Sequence, residues 1–192
     1  MQLVFATNNQ NKLKEVQALV PKHIKLLSLA DILCIEDIPE TQPTIEGNAI
    51  QKAEYIKTNY GYDCFADDTG LEVEALNGEP GVFSARYAGA QRNANDNMDK
   101  LLSELDDKDS REAQFKTVIA LHLNGKLETF TGICKGDITN NKHGDKGFGY
   151  DPIFRPEGYN ETFAEMDLEL KNKIGHRGKA ISLLIDHLNK LK

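Results

Sequence analysis

The sequence predicts an α/β protein built on a mixed sheet. Three observations carry that expectation. Short apolar runs at residues 2–6, 24–29 and 64–66 look like strands. Apolar residues at three-and-four spacing between and after them mark amphipathic helices. Two long strand-like runs are joined by Asn124-Gly125, the strongest short-range hairpin signal.

Taken in order, residues 2–6 form a buried strand followed by the polar loop Thr7-Asn8-Asn9-Gln10-Asn11. A helix starts near Lys12, places Leu13, Val16, Leu19 and Val20 on one face, and stops at Pro21. Residues 24–29 read as a second strand. Thr44 caps a long helix through Ile45, Ala49, Ala53 and Ile56 to Tyr60, with Gly61 at its exit. Cys64-Phe65-Ala66 reads as a short strand ending in Asp67-Asp68-Thr69-Gly70. Gly78, Pro80, Gly81 and Gly89 make residues 77–92 irregular. A helix over 94–105 turns Met98, Leu101, Leu102 and Leu105 inward, and the hairpin strands cover 112–123 and 126–138. A loop with Gly144, Gly147 and Gly149 leads to Tyr150-Asp151-Pro152-Ile153-Phe154. A last helix from Lys179 to Leu191 buries Ile181, Leu184, Ile185, Leu188 and Leu191. No repeat, low-complexity stretch or linker interrupts the pattern, so residues 1–192 are expected to form a single domain.

Composition narrows the function classes. The chain has 192 residues, 30 acidic and 23 basic, for a formal net charge of −7. That balance argues against wrapping a nucleic-acid polymer, which requires many Lys and Arg against phosphates. It leaves room for one small phosphorylated ligand held by local positive charge. Cys34, Cys64 and Cys134 are odd in number and lack C-x-x-C spacing, which suits reduced thiols in the cytoplasm better than a disulfide or zinc framework. The apolar run at the start is too short for a signal-peptide core. No run approaches the ~18 residues of a membrane span, so no membrane partner is expected.

Four segments carry chemistry, and each has a plainer alternative. Thr7 to Lys12 joins a strand to a helix N-terminus, where unpaired N–H groups favour an anion; Thr7 and Asn9 add donors and Lys12 a charge. The glycines of a Walker A loop are absent, and a polar turn with an Asn cap and a solvated lysine is the alternative. Asp67-Asp68-Thr69-Gly70 offers two carboxylates at a strand end, one suited to Mg²⁺ and the other to orienting or deprotonating a water. A solvent-facing turn is the plainer reading. Phe148, Gly149, Tyr150 and Asp151 can clasp a planar base by stacking, or the aromatics can simply fill the core. Lys171 and Arg177, before the last helix, can meet phosphate or the acceptor atoms of a base, or can be solvated. His23, His122, His143 and His187 lack partner spacing and read as surface or satisfied histidines.

The combination is more specific than any part. In order, the chain carries Thr7 to Lys12, Asn48-Ala49-Ile50-Gln51-Lys52-Ala53, Ala66 to Leu71, Pro80 to Tyr87, Gly147 to Phe154, and His176 to Ala180. Over nearly its whole length it resembles the inosine triphosphate pyrophosphatase family, the Ham1-like pyrophosphatases of non-standard purine nucleotides. The resemblance implies a long, twisted mixed sheet with flanking helices in two lobes around a central cleft, and a homodimer. It implies cleavage of ITP, dITP and XTP to the monophosphate and pyrophosphate with Mg²⁺. Thr7, Asn8, Asn9, Gln10, Asn11 and Lys12 are expected to hold the triphosphate with Lys52 and Lys171, and Asp68 to act as general base. Asp67, Asp68 and Glu40 are expected near the metal. Glu40 is followed by Gln42-Pro43 where the family commonly has Gly, and Thr69 replaces the commoner Ser while keeping its hydroxyl. Phe148, Gly149, Tyr150 and Asp151 are expected at the base, and His176-Arg177 at the purine six-position. A related Maf-like pyrophosphatase of pyrimidine or modified nucleotides, or a nucleotide-binding module without turnover, is the alternative.

Overall fold

The computed structural model describes residues 1–191. The strands are β1 (Gln2–Phe5), β2 (Lys25–Leu27), β3 (Cys64–Val73), β4 (Pro80–Gly81), β5 (Glu112–Leu123), β6 (Lys126–Ile138) and β7 (Phe154–Pro156). The helices are α1 (Gln10–Leu19), α2 (Ile45–Tyr60), α3 (Ala94–Glu104), α4 (Leu168–Ile174) and α5 (His176–Lys190). One mixed sheet runs in the order β2-β1-β3-β5-β6-β7, with β4 also on β3. β1 is parallel to β2 and to β3, whereas β4 is antiparallel to β3 and β7 to β6. The α/β class with a mixed sheet is therefore as the sequence predicts.

Local chemistry explains most boundaries. Thr44 accepts from the Gly47 amide at 3.0 Å to open α2, and Gly61 closes it in the left-handed region at φ 74°. α1 opens two residues before Lys12 because Asn9 takes the cap. The Asn9 Oδ1 accepts from the Asn11 and Lys12 amides at 2.9 and 3.2 Å. Asn124 and Gly125 both have positive φ, 50° and 77°, which a tight turn matched to the strand twist of the β5–β6 hairpin requires.

Besides β4 and β7, which lie where no strand is expected, three elements differ from expectation. β3 does not end before the aspartates but runs through Asp67-Asp68 to Val73. The polar pair reads as a strand end, yet each carboxylate finds buried partners, so the ladder continues. α4 was not expected; Asp167 caps it by accepting from the Leu170 amide at 2.7 Å. α5 begins at His176, three residues before Lys179.

The chain divides into two compact units. The first comprises Met1–Asp68, Thr117–Gly132 and Arg177–Lys192; the second comprises Thr69–Lys116 and Ile133–His176. The first is built on Leu3, Phe5, Val16, Phe65, Ile119, Leu121, Ile181 and Leu184, with the Phe5 and Phe65 rings stacked at 4.7 Å. The second packs Leu71, Met98, Leu101, Leu105, Ile138 and Ile153 with Phe115, Phe154 and Phe163. Among the described residues, no helix is long and apolar enough to cross a membrane.

Gly125→Ala places a Cβ in the left-handed region of the hairpin turn and is expected to cost about 1 kcal/mol. A lowered urea midpoint with an unchanged slope measures that cost, and an unshifted midpoint removes this turn as a determinant of the hairpin.

Candidate functional site

Successive side chains on a strand point to opposite faces. Asp67 and Asp68 are neighbours on β3, so they meet different elements of the first unit. Asp67 is 1% exposed and lies among cations from α1 and α5. Lys12 Nζ donates to its Oδ1 at 3.1 Å, and Arg177 Nε donates to its Oδ2 at 3.2 Å. The Arg177 guanidinium also donates through Nη1 to Glu15, itself buried on α1. Burial alone would raise the Asp67 pKa, but Lys12, Arg177 and Lys52 outweigh it and hold the carboxyl far below its ordinary range.

Asp68 meets α2 instead. Its Oδ2 accepts from Asn48 Nδ2 at 3.2 Å, and Lys52 Nζ stands 3.8 Å from its Oδ1. Lys52 also donates to Glu40 in the segment before α2. That segment is latched onto the helix: the Gln42 amide donates to Asn48 Oδ1 and the Thr41 amide to Gln51 Oε1, both at 2.9 Å. Desolvation raises the Asp68 pKa despite Lys52 and Lys12, with Glu40 and Asp67 adding to the rise. The two lysines shift oppositely. Burial lowers Lys12, seconded by Lys52 and Arg177, whereas for Lys52 the effect of burial is overcome by Asp68, Glu40 and Asp67, which raise it.

The polar loop before α1 supplies the rest of this region. Asn8, Asn9, Gln10 and Asn11 are exposed, and Thr7 is half-buried with its Oγ1 accepting from the Asn9 amide at 3.2 Å. The asparagine cap is real, so two of the helix's amides are already satisfied. The lysine of that loop is not solvated, because Asp67 holds it.

The second unit holds the other candidate residues. Gly147 and Gly149 have φ of 74° and 64°, and Phe148 between them is half-buried. The Asp151 carboxylate accepts from the Phe148 amide and from Lys171 Nζ, both at 2.7 Å. This places the Lys171 ammonium 4.8 Å from the centre of the Phe148 ring. His176 is buried, its ring stacked on Phe115 at 4.5 Å. Thr69 follows Asp68 on β3 and is half-buried.

Several assignments therefore shift. Asp67 is engaged by Lys12 and Arg177 rather than standing with Asp68 and Glu40. Lys171 sits with Phe148 and Asp151 in the second unit. Arg177 sits with the carboxylates of the first unit, although His176 next to it belongs to the second. The Tyr150 ring is core, 4% exposed, and its hydroxyl donates to the Ser84 carbonyl at 2.8 Å, so it is not one jaw of an aromatic clasp. His122 departs from the satisfied-histidine reading, since its Nδ1 is buried without a hydrogen-bond partner. Sequence reasoning passed over Asn48 and Glu15. Both had a signal: Asn48 lies four residues before Lys52 and Glu15 three after Lys12, each on the same helix face as the lysine.

The profile of the Ham1 family matches residues 3–187, nearly the whole chain. The chain belongs to the Ham1 family. Among its relatives, the dITP/XTP pyrophosphatase of Flavobacterium psychrophilum is 69% identical over 186 residues, covering 97% of this chain and 98% of that protein. The dITP/XTP pyrophosphatase of Flavobacterium johnsoniae is 65% identical over the full length of both. The solved structure of the Staphylococcus aureus Ham1 protein superposes with a TM-score of 0.92 at 39% identity, covering all of both chains. The dITP/XTP pyrophosphatase structure from Mycobacterium abscessus gives 0.79 at 39% identity, covering 96% of this chain and 99% of that one. The mixed sheet and its flanking helices are thus the Ham1 fold.

Asp67→Asn leaves the buried Lys12 and Arg177 without their shared counter-charge and is expected to cost about 3–5 kcal/mol. Asp68→Asn, with Glu40 still on Lys52, is expected to cost much less. Denaturant unfolding of the two variants ranks them, and equal losses would refute the asymmetry. Because the folded-state pKa of Asp67 is depressed, its contribution is present above the ordinary aspartate range and is lost only as pH falls through that lowered value.

Proposed function

We propose that this chain hydrolyses non-standard purine nucleoside triphosphates (ITP, dITP and XTP) to the monophosphate and pyrophosphate, clearing them from the nucleotide pool. The observation that carries the reading is the placement of Asp68, held by Asn48 beside Lys52 and Glu40, on the strand face opposite the charge-locked Asp67. The full-length relatives named dITP/XTP pyrophosphatase support the choice of substrate.

Asp68 is the general base in this reading. It takes a proton from a water whose oxygen forms the new bond to the α-phosphorus, and the bond to the bridging oxygen breaks as pyrophosphate leaves. Thr7, Asn9, Lys12 and Lys52 bind the polyphosphate, with Asn8, Gln10 and Asn11 around it. Phe148, Gly149, Asp151, Lys171 and His176 receive the base. Inosine and xanthosine bases carry an acceptor oxygen at the six-position, where adenine carries a donor amino group. A site presenting the Lys171 donor therefore leaves adenine mismatched in a desolvated pocket.

Mg²⁺ fits this donor set as a shared rather than a caged ion. Among the described residues, no three His, Cys, Asp or Glu side chains are arranged to hold a metal. Mg²⁺ commonly uses one or two carboxylates and completes its shell with phosphate oxygens and water. Asp68 and Glu40 would hold it, and the ion would neutralise polyphosphate charge. The balance of the first unit supports this reading: Lys12, Lys52 and Arg177 face four carboxylates, Glu15, Glu40, Asp67 and Asp68, so a triphosphate arrives without surplus positive charge. A cytoplasmic homodimer acting on single nucleotides, with no nucleic-acid polymer as partner, completes the proposal.

A panel of triphosphates with Mg²⁺ tests it directly. ITP, dITP and XTP should release pyrophosphate; release of orthophosphate from ITP would sink the mechanism. Asp68→Asn should abolish turnover while the triphosphate still binds, and near wild-type rates would remove the general-base role. Lys12→Ala should chiefly weaken triphosphate affinity, and chelation with EDTA should stop hydrolysis until Mg²⁺ is restored.

A further inference from the structure

The segment Pro80 to Tyr87 is part of the family pattern, yet it has no task in the reaction above. In the second unit it forms β4 and a 3-10 turn at Ser84–Arg86, and Ser84 is its hub. Ser84 is 8% exposed. Its hydroxyl donates to the Gly81 carbonyl at 2.6 Å and accepts from the Leu71 amide of β3 at 2.9 Å. Its carbonyl accepts from the Tyr150 hydroxyl at 2.8 Å and from Asn97 Nδ2 at 3.4 Å. Asn97, buried on α3, also accepts from the Ala88 amide at 2.7 Å and donates to the Ala85 carbonyl at 3.2 Å. The turn is therefore clamped from a strand and from a helix.

The loop that Tyr150 joins to this turn is tied to residues 163–165, the Lys146 amide donating to the Ala164 carbonyl at 3.0 Å and the Ala164 amide to the Asp151 carbonyl at 3.2 Å. Phe148 lies between two left-handed glycines, a backbone with wide conformational freedom. Asp151 fixes Phe148 against Lys171, which ties the loop to α4. The neighbouring Tyr150 ties the loop to the clamped turn, with its ring in the same core as Leu71, Met98 and Leu101.

We propose that Ser84 and Tyr150 are positioning residues for base recognition. The Tyr150 hydroxyl bonded to the Ser84 carbonyl fixes where Phe148 and Lys171 are presented, and so sets the discrimination among purine bases. This rests on the assignment of that loop to the base. A donor must meet the base oxygen within hydrogen-bond geometry, so a small displacement of Lys171 erodes the preference for an acceptor over an amino group.

Tyr150→Phe removes one hydroxyl and keeps the ring in the core; Ser84→Ala removes the hydroxyl that seats the turn. Steady-state kinetics with ITP and ATP, and inhibition by inorganic tripolyphosphate, separate base from phosphate effects. In both variants the KM for ITP should rise more than kcat falls. The ITP-over-ATP ratio of kcat/KM should drop about fivefold, the loss of one ordinary hydrogen bond, while tripolyphosphate inhibition stays at the wild-type level. An ITP-over-ATP ratio unchanged in Tyr150→Phe overturns the proposal whatever happens to the melting temperature. Weaker tripolyphosphate inhibition in step with ITP overturns it as well. Failure of the wild type to hydrolyse ITP would instead strike the parent reading, and is seen before any variant is made.

Discussion

The structure of the first unit depends on one buried carboxylate. Asp67 lies on β3 with Lys12 of α1 on one oxygen and Arg177 of α5 on the other. Arg177 in turn holds Glu15, so four ionisable groups from three elements settle around each other with almost no water. Isolated, each would be costly to bury; together their hydrogen bonds and opposite charges offset the desolvation. The arrangement also fixes register. A strand shifted by one residue would turn Asp67 to the other face and take from Lys12 and Arg177 the carboxylate they share.

The same two-residue period that fixes register divides the work. Adjacent aspartates share a sequence environment but not a physical one. One meets two cations at hydrogen-bond distance and is locked as an anion. The other meets a neutral amide and a lysine 3.8 Å away, in a setting that raises its proton affinity. A pair of carboxylates whose environments push their pKa values apart is a familiar way to obtain a structural anion and a working base from one residue type.

What could be read from the sequence was what local chemistry decides. The caps of α2, the hairpin turn and both strands beside it follow from Thr44, Gly61 and Asn124-Gly125 and need no distant partner. Lys12, at the end of the polar loop, meets Asp67, and the α2 lysine Lys52 meets Glu40 and Asp68. Other differences come from distant partners. β3 continues through two aspartates because their partners lie outside the strand, those of Asp67 55 and 110 residues away and Asn48 beside Asp68 20 residues away. Lys171 and Arg177 exchange company because the chain passes from one compact unit to the other between His176 and Arg177. Phe148 and Tyr150 look alike in sequence, and only burial tells the half-exposed ring from the core one.

The charge balance around Asp67 and Lys52 bears on how such an enzyme waits. Deaminated nucleotides are damage products, so a protein that removes them is idle most of the time. A pocket of unpaired lysines would be prone to collapse, or to capture by the far more abundant ordinary nucleotides and free phosphate. Here Glu15, Glu40, Asp67 and Asp68 already neutralise Lys12, Lys52 and Arg177, which gives stray anions little reason to stay.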